Sequence, residues 1–198
     1  MHLAPDHGDP RAALSVNIGK EGLWRSDRRG SVRCTMSSLA HPAAKIDLTG
    51  LLAAISQANA EDSLNNPLSP AQWELLGSYL QPLSVPSGHV LFPQGSLDRT
   101  LYFIESGNLS VHYQDDKGRL RIALVGPGSI VGEGAFFAHR PRSATVQATA
   151  ASKLWSIAAL RFSELSNRQP AIALGVAMAA GAVMAKRLAN RRRRIAIT

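Results

Sequence analysis

Between Pro82 and Ile157 the chain breaks into short runs of strand-forming residues separated by glycine turns, and this pattern decides the fold class. The runs are Val90–Phe92, Leu101–Glu105, Leu109–Tyr113, Leu120–Val125, Ser129–Val131, Ala144–Ala150 and Lys153–Ile157. Pro93–Gly95, Ser106–Gly107, Asp115–Gly118 and Gly126–Gly128 punctuate them, and Asp-Asp-Lys-Gly is a hairpin signal. Many short strands at near-even spacing predict an antiparallel sandwich or barrel of the jelly-roll (double-stranded β-helix) kind.

Helices flank this β region, so the chain reads as mainly β with flanking helices. Leu48–Ala58 carries apolar residues at Leu48, Leu51, Leu52 and Ile55, a helical spacing, and a polar loop follows over Asn59–Leu68. Ser69 as N-cap, Pro70 at the first helical position and Glu74 in the first turns mark a second helix, with Trp73, Leu75, Leu76 and Leu80 on its apolar face. After the strands, Ala158–Asn167 is read as a helix whose Phe162 and Leu165 face the sheet. Pro170 opens a longer helix to about Arg194. Residues 1–45 lack periodicity and scatter Pro, Gly, Arg and Ser; they are read as a disordered extension, with Met36 as an alternative true start. The organisation expected is therefore 1–45 extension, 46–68 short helix and linker, and 69–198 one domain with C-terminal helices and a basic tail.

Composition sets bounds on function. The content is 45% apolar and 18% charged, that of a chain able to build a core. Of 22 basic residues, six lie from Lys186 onward with no acidic residue among them; the remainder of the chain carries only +2 of the net +8. The basic character belongs to a tail rather than to a nucleic-acid-binding face. The apolar run Ala171–Ala185 is shorter than a bilayer span and rich in Ala and Gly, so no membrane span is expected. A single cysteine, Cys34, excludes an internal disulfide, and without a visible signal peptide the cytoplasm is the expected compartment.

The stretch Val131–Val146, VGEGAFFAHRPRSATV, carries the chemistry. Gly132 and Gly134 flank Glu133 and let backbone N–H groups approach a ligand without an intervening Cβ. The first turn of a short helix after Gly134 points free N–H groups at an anion. Arg142 supplies a planar fork for two oxygens of one phosphate, and Glu133 can accept hydrogen bonds from a sugar hydroxyl. This set resembles the phosphate-binding cassette of the cyclic-nucleotide-binding domains found in bacterial catabolite activators, regulatory subunits of cAMP-dependent kinase and cyclic-nucleotide-gated channels. Gly132, Glu133, Ala135, Pro141, Arg142, Ser143, Ala144 and Thr145 fall on the family pattern without a gap. Gly88, Gln94-Gly95, Asp98, Leu101–Ile104, Gly107 and Gly128 extend the likeness, which runs from about Leu75 to Leu188. Val131 and Gly134 depart from it, standing where the family usually has Phe and Leu or Ile.

The resemblance implies a non-enzymatic sensor. Glu133 would bind the ribose 2′-hydroxyl and Arg142 the exocyclic phosphate oxygens. Backbone amides around Gly134 and Ala135, with Ser143, would complete the phosphate shell, and the last helix would close over the base. The ligand implied is cAMP, with cGMP the alternative because Ser143 is intermediate between the family's guanine-favouring Thr and adenine-favouring Ala. No cofactor and no catalytic residue are expected. A cupin-type metal site needs two His one residue apart on a strand, and His89, His112 and His139 stand alone. Only a few residues follow the Arg191–Arg194 run, too few for a recognition helix, so specific DNA binding is not expected. Small residues four apart, Gly175 with Ala179 and Ala177 with Gly181, suit a homodimer seam along the last helix. A protein partner receiving the signal completes the reading, with a nucleic-acid-contacting regulator or a ligand-free β-roll as alternatives.

Overall fold

The computed structural model describes residues 46–60, 62–66, 68–114 and 120–195. The expectations for residues 1–45, for Cys34, for the Asp115–Gly118 turn and for the side chains of Arg191–Arg194 lie outside what it describes.

Helix α1 (Thr49–Gln57) buries Leu51 and Ile55. Helix α2 (Pro70–Gly77) starts at a capping box in which the Ser69 hydroxyl accepts from the Gln72 amide and the Gln72 side chain accepts from the Ser69 amide. Trp73 and Leu76 are buried, but Leu75 is exposed, because a helix of two turns presents only one narrow stripe to the core.

Eight strands follow: β1 (Gln81–Val85), β2 (Val90–Phe92), β3 (Thr100–Ser106), β4 (Leu109–Gln114), β5 (Leu120–Val125), β6 (Ile130–Val131), β7 (Thr145–Ala148) and β8 (Ser152–Ala158). They form two four-stranded antiparallel sheets, ordered β1-β8-β3-β6 and β2-β7-β4-β5, which is the jelly-roll arrangement expected. Strand β1 escaped the sequence reading. Its Pro82 cannot donate to a ladder, and the strand survives because it lies at a sheet edge, paired with β8 alone.

The first sheet is covered on both faces. Side chains alternate along β3, so Leu101 and Phe103 join one core cluster with the helices while Tyr102 and Ile104 join a second cluster between the sheets. Trp155 and Ile157 of β8 repeat the first face, and Leu154 repeats the second. The helix-side cluster also takes Leu48, Leu51, Ile55, Leu64 and Leu68, so α1 and the apolar residues of the loop after it share one core with the strands. Gly128 sets how closely α1 approaches: at φ +75° a Cβ there would sit 2.5 Å from the Ala54 carbonyl oxygen.

Two helices end the described chain, α4 (Ala159–Arg168) and α5 (Pro170–Ile195). Leu165 is buried against the strands as expected, but Phe162 packs instead on a short helix α3 (Glu133–Ala138), its ring 5.1 Å from Phe136 at 74°. Over Pro170–Asn190, α5 is long and apolar enough to cross a bilayer by length and composition. Ile172, Ala173, Val176, Ala179, Ala180 and Val183 nevertheless pack into the domain core, which gives that apolar face a partner.

Candidate functional site

The connection from β6 to β7 carries the residues singled out from sequence. Gly132 caps α3 in the left-handed region, φ +89°, and a Cβ there would lie 2.7 Å from the Thr100 carbonyl oxygen and against the Arg142 guanidinium. Glycine is therefore required by both conformation and space. Glu133 opens α3, and Ala135 with Phe136 anchors the helix in the core. At Gly134 nothing lies within 4 Å of a built Cβ, so nothing in the fold requires glycine there.

Arg142 is only 2% exposed, and its surroundings explain how a guanidinium tolerates that. Its Nη2 donates to the Asp98 carboxylate and to the Thr100 carbonyl at 2.8 Å; its Nη1 donates to the Gly132 carbonyl at 3.0 Å. The plane stacks on Phe92, 3.9 Å from the ring centroid, and Phe92 in turn stacks on Tyr102. The backbone is held too: the Arg142 amide donates to Ser96 O and its carbonyl accepts from the Gly95 amide, both at 2.8 Å. Burial pushes the Asp98 carboxyl up, but the hydrogen bonds from Arg142 and Thr100 and the guanidinium charge outweigh it, leaving Asp98 below its ordinary value. Buried Arg142 Nε and Ser96 Oγ have no hydrogen-bond partner among the described residues. Such orphan buried donors are uncommon in folded proteins.

Glu133 is held from another direction. Its Oε1 accepts from Arg187 Nη1 at 2.7 Å, and Arg187 lies on α5. The same guanidinium donates to Asp62 Oδ2 at 2.9 Å, to Ser129 Oγ at 3.1 Å and to the Ile130 carbonyl at 2.9 Å. Burial alone would lower the Arg187 pKa, but the Glu133 and Asp62 carboxylates outweigh it and hold the guanidinium above its ordinary value. Ser143 is exposed at the start of the run into β7.

Glu133 and Arg142 thus do not pair with each other; both meet at Gly132, and each is tied to a partner distant in sequence. Neither lines a cavity of about 430 Å³ beside Ser84–Pro86 or one of about 300 Å³ between α3 and α4. Sequence reasoning noted Asp98 only as part of the likeness and missed Asp62 and Arg187, since no local pattern marks a partner 54 or 125 positions away. Among the described residues no three His, Cys, Asp or Glu side chains group so as to hold a metal.

The antiparallel roll thus carries a glycine-capped turn with an acid opening its short helix and a buried arginine bonded to the capping glycine. Residues 82–169 match the family model described as the cyclic nucleotide-binding domain, and this segment belongs to that family. The chain is 32% identical over 122 residues to the cyclic AMP receptor protein of Thermus thermophilus, covering 61% of this chain and 55% of that one. It is 38% identical over 74 residues to the type II regulatory subunit of cAMP-dependent protein kinase of Drosophila melanogaster, covering 37% of this chain and 20% of that one. The chain therefore spans about half the length of the first of these relatives and a fifth of the second. A solved cyclic nucleotide-binding domain from Methylobacillus flagellatus superposes with a TM-score of 0.66 at 21% identity, over 75% of this chain and 82% of that one, which establishes the shared fold.

Proposed function

We propose that this protein is a non-enzymatic cytoplasmic sensor that binds a 3′,5′-cyclic nucleotide, cAMP in preference to cGMP, at the α3 turn and relays its presence through α5 to a partner protein. The observation that carries this reading is Arg142: a buried guanidinium, oriented by Asp98, Thr100 and Gly132, whose Nε still lacks an acceptor. A cyclic phosphate supplies that acceptor. Amides at Gly134 and Ala135 and the exposed Ser143 complete the phosphate shell, and the Glu133 carboxylate takes the ribose hydroxyl. A carboxylate has room for several donors, so Glu133 can hold Arg187 and the sugar together. The relatives' names, a cyclic AMP receptor protein and a regulatory subunit, support both ligand and mode of action.

The relay follows from the same bonds. Ligand on Glu133 changes how firmly Arg187, and with it α5, is held against the turn; Phe136 against Phe162 couples α3 to α4. A ligand moves that balance only by its different affinity for the two positions of the helices. The outer face of α5 serves as the homodimer seam. Its exposed stripe is Leu174, Met178, Gly181 and Leu188, a four-three spacing, whereas Ala179 from the sequence reading is buried in the protein's own core.

Isothermal calorimetry with cAMP and with cGMP tests the proposal on wild type, Arg142→Leu and Arg142→Lys, with melting curves to confirm folding. Losing the charge-assisted fork, about 1.5–3 kcal/mol, weakens cAMP binding at least roughly tenfold in both variants. Absence of binding by the wild type to either nucleotide overturns the reading and leaves a β-roll in which Arg142 and Glu133 are internal ties.

A further inference from the structure

The 300 Å³ cavity lies where Arg99, just before β3, meets α3 and α4. Phe136, Phe137, His139, Ala159, Phe162, Ser163, Ser166 and Asn167 complete its lining, and none of the cassette's charged residues contributes. Its walls are fixed. The Ala159 amide donates to the Arg99 carbonyl at 3.0 Å, tying the start of α4 to the entrance of β3. Phe136, Phe137 and Phe162 pack edge to face with centroids 4.9, 5.1 and 6.2 Å apart, forming an aromatic wall. Ser163, Ser166 and Asn167 put small polar groups on the facing side of α4.

Arg99 sets the chemistry of this space. Its Nη2 donates to the Phe136 carbonyl at 3.2 Å and lies 3.0 Å from His139 Nε2, neither of them a carboxylate. The neighbouring Asp98 is already committed to Arg142 and to the Thr100 hydroxyl. Among the described residues Arg99 has no carboxylate partner, and its buried Nε has no hydrogen bond. His139 ends α3 in the left-handed region at φ +55°, the one described non-glycine residue with positive φ, and its imidazole lies beside the guanidinium. A charged donor group without a counter-charge, facing three phenyl rings, is half of a recognition site.

We propose that this cavity is a second ligand site, separate from the cassette, for a compact aromatic carboxylate: the ring lies against the phenylalanines and the carboxylate takes the open donors of Arg99. Its volume is at the lower end of small-molecule sites, roughly 300–1,000 Å³, which restricts the occupant to one or two rings. The inference stands on Arg99 and its walls and holds whether or not the cassette binds a nucleotide.

Calorimetry on the full chain tests it with 2-naphthoate, using 2-naphthylmethanol as the uncharged counterpart. Naphthoate binds with unit stoichiometry and the alcohol at least roughly tenfold more weakly, the difference a charge-assisted hydrogen bond supplies. Arg99→Met weakens naphthoate by a similar factor. Ser166→Phe fills the space from α4, where the Ser166 hydroxyl donates to the Phe162 carbonyl of its own helix, and it abolishes binding while leaving Arg99 in place. Saturating cAMP leaves the naphthoate stoichiometry unchanged. No binding of naphthoate, equal binding by both folded variants, or competitive displacement by cAMP overturns the proposal.

Discussion

The ion pair between Glu133 and Arg187 joins the α3 turn to α5, and a double-mutant cycle measures how strongly. The Glu133 side chain is 15% exposed and that of Arg187 24%, so the 2.7 Å contact is largely out of water. Arg187→Met removes four hydrogen bonds at once and leaves the Asp62 and Glu133 carboxylates unpaired. Breaking one side of a buried pair costs about 3–5 kcal/mol, and the residual exposure places this variant near the lower end, about 3 kcal/mol. Glu133→Gln keeps the shape and an accepting oxygen, and costs about 1–1.5 kcal/mol. In the double variant no charge on Glu133 is left stranded, so its cost falls short of the sum by about 1–2 kcal/mol. Urea denaturation at neutral pH gives all four values. Because the pair is shielded, the coupling persists at high salt, unlike that of a surface pair. Costs that add within about 0.5 kcal/mol, or an Arg187→Met cost below about 1 kcal/mol, refute the view that this pair holds the helix to the turn.

Three further predictions follow from the same geometry. Gly132→Ala costs at least about 2 kcal/mol by denaturation, since φ is +89° and the new Cβ meets Thr100 O, whereas Gly134→Ala, in open space within a helix, gains about 0.5–1 kcal/mol. Asp98 sits below its ordinary value near 3.9 when folded; its ionised form therefore stabilises the fold above that pH, and the benefit is lost as the pH falls through the lower folded value. The stability gap between wild type and Asp98→Asn is thus constant between about pH 5 and 8 and closes in stronger acid, which a series of melting curves checks. On the proposed dimer seam, Met178→Glu places a charge in the middle of the exposed α5 stripe and yields a monomer in sedimentation equilibrium where the wild type sediments as a dimer, while leaving the melting curve of the monomer intact, since Met178 is 68% exposed.

Much of the fold was legible because its signals are local. The strand pattern and the helix starts at Ser69-Pro70 and Pro170 are each marked by a few adjacent residues, and among the described residues each appears within a residue or two of where the sequence places it. What escaped depends on tertiary position. Gln81–Val85 is a strand only because β8 lies beside it. Leu120, Ile122 and Leu124 look like a core face by alternation, yet all three are exposed, and it is Val125 that enters the core, because period two fixes two faces without saying which one is covered.

The candidate site divides in the same way, and the division bears on how such a domain can signal. Glu133 and Arg142 stand nine positions apart in one motif, so chemistry alone finds them. Their partners come from 44 and 54 positions away and only the fold supplies them. The two ends of the turn differ in consequence. Arg142 is gripped by Asp98, two backbone carbonyls and a phenyl ring, all within the β-roll, so a phosphate arriving there meets donors whose orientation has already been settled. Glu133 is gripped by a residue of α5, so whatever hydrogen-bonds to its carboxylate acts on a helix. On the proposed function, affinity resides at the phosphate end and the message leaves from the sugar end. Substitutions at Asp98 should therefore change how tightly a nucleotide is held, while substitutions at Arg187 change what the bound nucleotide does to α5.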